Sequence, residues 1–486
     1  MNEHIRNLEP KTLWNNFSDL NAIPRGSKKE EKVIAFMVAF GQKLGLETVK
    51  DPVQNVIIKK PATTGLENRK TVVLQSHLDM VHQKNADTNF DFETDGINML
   101  IDGDWVTADG TTLGADNGLG VAAIMSILES SDIPHPPLEA LFTIDEETGM
   151  TGAMGLEAGY LNGEILLNLD TEEDDEIDIG CAGGIDVTSK KTYKEENITG
   201  NCKAFQISIT GLSGGHSGMD IHKGLGNANK LMNTILMYIE DIIQISEIKG
   251  GSLRNAIPRE SFATVVSSTE HAAQLIAKIE EISNTIKEDF VDIESNLEIN
   301  VMPLDCPNGI MNKETQTNLL RAIENAHNGV YKMSDDIPDL VEASNNIAKI
   351  TVANEAIQIE CLTRSSIEDS KFELTHNLTN TFENEGFEVS LSGNYPGWQP
   401  NSNSPILKVM ENLYENIFNQ KAKVVACHAG LECGILGINY PKMDMISFGP
   451  TIEGAHSPDE RLNIASTQKF WGFLLEILKN IPVKKM

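Results

Sequence analysis

Along the first 185 or so residues, apolar positions fall into two alternating patterns. From Glu30 to Leu44 they recur at helical spacing and stop at Gly45, which predicts an amphipathic helix with a glycine end. Thr71 to Gln75, Leu138 to Ile144 and Glu164 to Leu169 are short, apolar, strand-like runs, and Gly118 to Leu128 predicts a helix between the first two of them. Strand alternating with helix predicts an α/β domain, with a mixed, mostly parallel sheet and helices on both faces. In such sheets ligand sites form beyond the carboxyl ends of strands. Polar residues stand at those ends here: His77 after the first strand, Glu146 and Glu147 after the second, Asp170 after the third.

The texture changes from about Lys190 to Asn394. Strand-like runs at Phe205 to Thr210, Phe262 to Ser267 and Leu297 to Met302 bracket helical stretches such as Ala272 to Phe290. A second strand–helix–strand passage runs from Ile357 to Arg364, through Lys371 to Asn384, to Glu388 to Ser392. The two passages read as a weak internal repeat. This stretch predicts a separate α+β insert over 190–394, between the halves of a discontinuous catalytic domain, 1–189 and 395–486. The last segment ends in a predicted helix, Thr467 to Ile481.

Composition supports two domains, since 486 residues exceed what one hydrophobic core ordinarily supports. A formal charge of −32 argues against nucleic acid or an anionic membrane surface as partner. No run approaches the ~20 apolar residues that span a bilayer, and Met1 to Leu20 lacks the apolar core of a signal peptide. Six scattered cysteines without a C-x-x-C pair read as small buried hydrophobes of a reducing compartment. The expected location is the cytoplasm.

The chemistry lies in five segments. In Gln75-Ser-His-Leu-Asp-Met80, His77 and Asp79 point to the same side of a strand end, and a carboxylate so placed orients a metal-binding imidazole. Asp116 stands in a glycine-bounded turn at a helix entrance, where capping is the ordinary role of an aspartate. Ile144-Asp-Glu-Glu147 stacks acids at a strand end, an arrangement that repels itself unless solvated or neutralised by a cation. Asp170 ends a buried strand, and the acidic run Glu172 to Asp178 beyond it reads as solvated surface. His456 lies in a loop after the apolar segment Met445 to Phe448.

Two histidines and three carboxylates (His77, Asp116, Glu147, Asp170, His456) form a hard N/O set suited to Zn, Mn or Co. Five ligands exceed the needs of one catalytic ion but suit two that share a carboxylate. Two dications outweigh three carboxylates, which predicts residual positive charge to acidify a water. Glu146 is left to act as general base. Gly211-Leu-Ser-Gly-Gly215 formally matches a nucleophile elbow, but the residues after it are a poor helix start. A serine hydrolase and a non-catalytic binding protein are therefore distant alternatives.

Together, SHLDM, GADNG, DEETG, LNLD, GGHSG, RNAIPRE, YPGW, HAGLECG and GAHSPDE resemble the M20 metallopeptidases, in order over nearly the whole chain. The likeness is to their dipeptidase branch. It implies one metal on His77, Asp116 and Asp170 and a second on Asp116, Glu147 and His456. Asp116 would bridge, helped by a cis peptide to Asn117. The same resemblance implies two divalent ions, zinc first with Mn or Co as alternatives, Glu146 as base and Asp79 as its supporting carboxylate. It further implies His216 polarising the scissile carbonyl across a homodimer, and Arg364 holding the C-terminal carboxylate with Asn255 nearby. His428 and Glu432 are expected to face the substrate, and the insert to serve as lid and dimer contact. Unblocked dipeptides are the implied substrates, of Xaa-His type or of broad range. An N-acyl amino acid deacylase or a tripeptidase of the same family is the nearer alternative.

Overall fold

The computed structural model describes residues 2–335 and 337–484. They divide into two compact units, one of residues 1–180, 398–426 and 431–486, the other of residues 181–397 and 427–430.

The first unit is built on an eight-stranded sheet. Its central strands Leu138–Thr143, Val72–His77, Ile165–Asn168 and Asp444–Ser447 run parallel. Every residue of Leu138–Thr143, Val72–His77 and Ile165–Asn168 is buried. Strands of this kind need cover on both faces, which is why their sequences are near-continuous apolar runs. Antiparallel strands Val56–Lys60 and Glu47–Lys50 finish one side. The helix Glu31–Lys43 ends just before Gly45, whose φ of 69° supplies the left-handed turn that glycine tolerates best. Its C-terminal counterpart, Ile464–Lys479, opens with Asn463 accepting from the Ser466 N–H.

A four-stranded antiparallel sheet orders Ile452–Glu453, Arg461–Asn463, Trp105–Ala108 and Met99–Asp102. The loop carrying His456 joins the first two of these strands. The chain leaving Ala108 runs directly into the turn carrying Asp116. Ordinary ladder pairing thus brings together segments 340 residues apart.

The second unit holds a nine-stranded antiparallel sheet. Strands Ser261–Ser268 and Glu298–Leu304 flank Cys202–Thr210, and the helix Ala272–Asp289 lies between them in sequence. Strands Ala356–Ser365 and Glu388–Tyr395 flank Gly183–Thr192 in the same way, with helix Glu368–Asn384 between them. The two strand–helix–strand passages share one topology.

The cysteine reading needs correction. Cys202 and Cys306 form a disulfide, while Cys181, Cys361 and Cys433 are buried thiols. The register pairs Ala204 with Leu304, so Cys202 and Cys306 face each other two residues further out. A separation of 104 residues left no local trace of that pairing.

Candidate active site

His77 ends its strand fully covered, with Nδ1 3.1 Å from the Asp79 carbonyl oxygen and 3.4 Å from Asp79 Oδ1. Those acceptors place the ring proton on Nδ1 and turn the Nε2 lone pair outward. Nε2 lies 3.2 Å from Asp116 Oδ1 and 3.4 Å from Asp170 Oδ1. The other oxygen of Asp116, Oδ2, lies 3.1 Å from His456 Nε2, and Glu147 Oε2 is 2.9 Å from the same nitrogen. One aspartate therefore faces two histidines, one with each oxygen. It does not cap its helix: the peptide to Asn117 is cis, both residues are non-helical, and the regular helix starts at Gly118.

Glu146 and Glu147 follow Asp145, whose φ of 53° ends the strand abruptly. Their backbone N–H groups donate to Asp79 Oδ1 and Oδ2 at 3.1 and 3.3 Å, and Ser27 Oγ donates to Oδ2 at 2.8 Å. Asp79 thus ties the histidine strand end to the acidic turn.

Ligand-type atoms of three trios lie within 4.8 Å of one another: His77, Asp116 and Asp170; Asp116, Glu147 and His456; His77, Glu146 and Glu147. Glu147 Oε1 and Asp170 Oδ1 are buried and take no hydrogen bond. Burial holds the carboxyls of Glu146, Glu147 and Asp170 above their ordinary range, reinforced for all three by neighbouring acids. Hydrogen bonds donated to Asp116 and Glu147 push His456 up to about 11. Carboxylates this crowded hold protons for lack of other cations. The donor set and its orphaned oxygens fit two divalent ions sharing Asp116.

Glu460, Glu172 and Asp178 are covered in ways the sequence does not reveal, and Glu432, expected to face the substrate, is enclosed instead. Glu460 is 2% exposed, and its two oxygens accept the N–H groups of Leu113, Gly114, Ala115 and Asp116 at 2.7, 2.9, 2.7 and 3.2 Å. Glu172 was read as part of a solvated run. It is instead largely covered, and burial beside Asp116 and Asp170 lifts its carboxyl to about 8. Asp178, from the same run, is 4% exposed and accepts from Thr171 Oγ1 at 2.7 Å. Both corrections have one cause, because strand Glu176–Cys181 joins the main sheet and draws the run inward. Glu432 is wholly buried, accepts from Gln75 Nε2 and Thr143 Oγ1, each at 2.6 Å, and is lifted to about 8 by burial. These acids raise the number of carboxyl groups around the trios beyond the three counted from the sequence. The cation unseen from sequence is Arg25, 0% exposed.

The second unit carries the remaining candidates. Arg364 is buried and donates from Nη1 to the Tyr395 hydroxyl at 2.9 Å. Its Nε has no partner, and among the described residues it makes no ion pair. His428 is 7% exposed and lies 2.8 Å from Ser344 Oγ. Burial, then the positive charge of Arg364, pushes it down to about 3. His216 Nδ1 accepts from the Gly218 and Met219 N–H groups at 3.2 and 3.0 Å, which leaves the proton of the neutral ring on Nε2. Asn255 is exposed, and its carbonyl accepts from Ser217 N at 2.8 Å, next to His216. Ser213 donates to Glu294 at 2.8 Å and leads into the two-residue strand Gly215–His216 rather than a helix, so it forms no nucleophile elbow.

This fold and this acid–histidine cluster define a metallopeptidase. Peptidase family M20/M25/M40 matches residues 73–480, and the chain belongs to that family. It is 41% identical over 482 residues to the cytosol non-specific dipeptidase of Escherichia coli (strain K12), covering 99% of each chain. It is 42% identical, with a TM-score of 0.91, to the crystal structure of aminoacylhistidine dipeptidase from Vibrio alginolyticus, covering 100% of this chain and 99% of that one. A tripeptidase from Staphylococcus aureus, 16% identical over 98% of this chain and 99% of its own with a TM-score of 0.56, shares the fold.

Proposed function

We propose that the chain is a dipeptidase that hydrolyses unblocked dipeptides with two divalent cations. His77, Asp116 and Asp170 would hold one ion, and Asp116, Glu147 and His456 the other. The observation that carries this reading is the placement of Asp116, each of whose oxygens faces a different histidine within 3.2 Å. Likeness to two dipeptidases at about 40% identity over the whole chain supports the substrate class.

Bound there, such ions, with zinc the first choice, would polarise the scissile carbonyl and acidify a water. The residues do the rest. Glu146 accepts the proton of the attacking water on its carboxylate, oxygen adds to the carbonyl carbon, and the same proton passes to the leaving nitrogen as the C–N bond breaks. Asp79 fixes the Glu146–Glu147 turn and the His77 ring. In the second unit, Arg364 binds the substrate's terminal carboxylate, a role that suits a buried guanidinium without an ion-pair partner. His216, with its proton on Nε2, donates to the developing oxyanion. Asn255 and His428 line the same region of that unit.

The proposal extends to residues 190–394 as a lid and homodimer contact and to a cytoplasmic location. No helix of the described residues is long and apolar enough to cross a membrane. Assays of dipeptides, tripeptides and N-acyl amino acids, after chelation and readdition of zinc, manganese or cobalt, test it. Cleavage restricted to dipeptides and abolished by chelator is the expected result. Preferred cleavage of N-acyl amino acids, or turnover indifferent to chelation, would overturn it.

A further inference from the structure

The segment Leu113–Asp116 carries the shared aspartate, yet it belongs to no strand, and the regular helix begins only after it. What fixes it is a grip from two sides. On its N–H side, Glu460 alone takes four consecutive amides, Leu113 through Asp116. On its carbonyl side, Asn21 Nδ2 donates to Leu113 O at 2.9 Å and Arg25 Nη2 to Gly114 O at 2.5 Å.

Arg25 and Glu460 each also reach the segment of another site residue. Arg25 Nη1 donates to the carbonyls of Leu78 and Asp79 at 3.1 and 3.0 Å, so one guanidinium joins the His77–Asp79 turn to the Asp116 turn. Glu460 lies four residues beyond His456, in the loop that closes onto strand Arg461–Asn463. It therefore joins the His456 loop to the same turn. Both residues are buried, and they attract each other.

The glycines of GADNG fit around this arrangement. A Cβ on Gly118 would come within 2.5 Å of Arg25 Nη2. Gly118 does not have a positive φ, so its backbone does not call for glycine. The guanidinium does.

We propose that Arg25 and Glu460 form a paired clamp that sets Asp116 between His77 and His456, making two residues outside the ligand set positioning residues for both cations. The inference rests on the ligand assignment proposed above. A buried cation acting through charge alone would repel dications, and its removal would tighten them. A clamp predicts the reverse, because a displaced ligand is lost to the ions. Residues that orient metal ligands typically alter affinity by 10–100-fold.

The test titrates Mn2+ into the metal-free, folded full-length chain by calorimetry and records the absorption spectrum of the Co2+-loaded form. Wild type should take up two ions. Arg25→Lys keeps the charge but cannot span three carbonyls. It should bind at least one ion about tenfold more weakly and shift the Co2+ bands, as should Arg25→Met and Glu460→Gln. Gly118→Ala leaves Arg25 in place but displaces its guanidinium, so it should show the same loss. The Arg25→Met/Gly118→Ala double variant should be no weaker than Arg25→Met alone. Wild-type affinity in Arg25→Lys, or tighter binding in Arg25→Met, overturns the clamp. So does additivity in the double variant. If an Arg25 variant does not fold, wild-type affinity in Gly118→Ala does so by itself. Failure of the wild type to bind two ions would instead overturn the ligand assignment.

Discussion

Asp79→Asn isolates what a buried carboxylate does beneath the metal trios, because the side chain keeps its shape. Asp79 is 0% exposed and accepts from Ser27 Oγ, Glu146 N and Glu147 N, with His77 Nδ1 3.4 Å from Oδ1. Burial opposes its charge, but hydrogen bonding and the attraction of His77 outweigh burial and hold its pKa below the usual value. The new amide has two possible orientations. With NH2 in place of Oδ1, two donors, Glu146 N–H and His77 Nδ1–H, would face a third. With NH2 in place of Oδ2 only the Glu147 N–H is opposed, since the serine hydroxyl can turn and accept. The second orientation wins, so one bond to a charged acceptor is lost, worth about 1.5–3 kcal/mol. The His77 tautomer survives, because the Asp79 carbonyl oxygen at 3.1 Å still accepts from Nδ1. Cation affinity should therefore fall about tenfold, or about 1.4 kcal/mol, toward the low end for residues that orient ligands. Isothermal titration with Mn2+ and urea unfolding of the metal-free chain measure the two quantities. A loss of a thousandfold would show that the carboxylate charge, not the geometry, sets the tautomer; no loss in either quantity would show that Asp79 does not hold the turn.

Three other changes probe separate parts of the site. Glu146→Gln should lower kcat by about 10²–10⁴ while two equivalents of metal remain by elemental analysis; loss of an ion would make Glu146 a ligand. Arg364→Ala should lower kcat/KM for a dipeptide by about tenfold to a hundredfold, as expected for a lost charge-assisted bond, and change much less for the dipeptide amide; equal losses would remove the carboxylate role. His428, held near 3 against an unfolded value near 6.5, is neutral when folded and takes up a proton on unfolding across that window. Stability should fall as pH drops from about 6.5 toward 3, with a steeper urea-midpoint slope in wild type than in His428→Gln; parallel slopes would refute it.

The main sheet was legible because its central strands are covered on both faces, a condition that writes itself into Val72–Val73–Leu74 and Leu166–Leu167 as unbroken apolar runs. Site residues were legible where chemistry and position coincide: an acid or histidine at a strand end, as with His77, Glu147 and Asp170. What could not be read works at long range. Arg25 lies in the loop beyond helix Lys11–Leu20, outside any periodic pattern, and its main partners are carbonyl groups, which any sequence supplies. Glu460 stood inside a recognisable segment, but its role depends on four amides more than 340 residues away. Glu172 and Asp178 looked like surface because local charge density does not reveal that the short strand Glu176–Cys181 joins the main sheet and pulls them in. Arg364 was singled out by the family resemblance, not by anything in its local sequence. Only the fold shows it buried and without a carboxylate.

The charge around the site bears on which end of a substrate it prefers. Beside Asp116, Glu147 and Asp170 stand Asp79, Glu146, Glu172, Glu432 and Glu460, with Arg25 as the buried arginine among them. Two dications, bound as proposed, and one arginine would not balance eight carboxylates. With Glu172 and Glu432 protonated, as burial favours, and Glu146 and Glu460 ionised, as their roles as base and as acceptor of four amides require, about one negative charge remains. Glu172 is the acid least engaged, its side chain having no hydrogen bond or ion pair among the described residues. A dipeptide with a free α-ammonium offsets that surplus; an N-acylated one does not. At about 6 Å and an effective dielectric of ~20, one unit charge is worth about 3 kcal/mol, an upper bound of roughly a hundredfold after solvent screening. N-acetylation of a good dipeptide substrate should therefore lower kcat/KM by about tenfold to a hundredfold. Glu172→Gln should narrow that gap only as pH rises through about 8, where Glu172 ionises. Equal rates for free and acetylated peptides would mean that the surplus is neutralised by protons before any substrate arrives, and that preference for unblocked dipeptides has another origin.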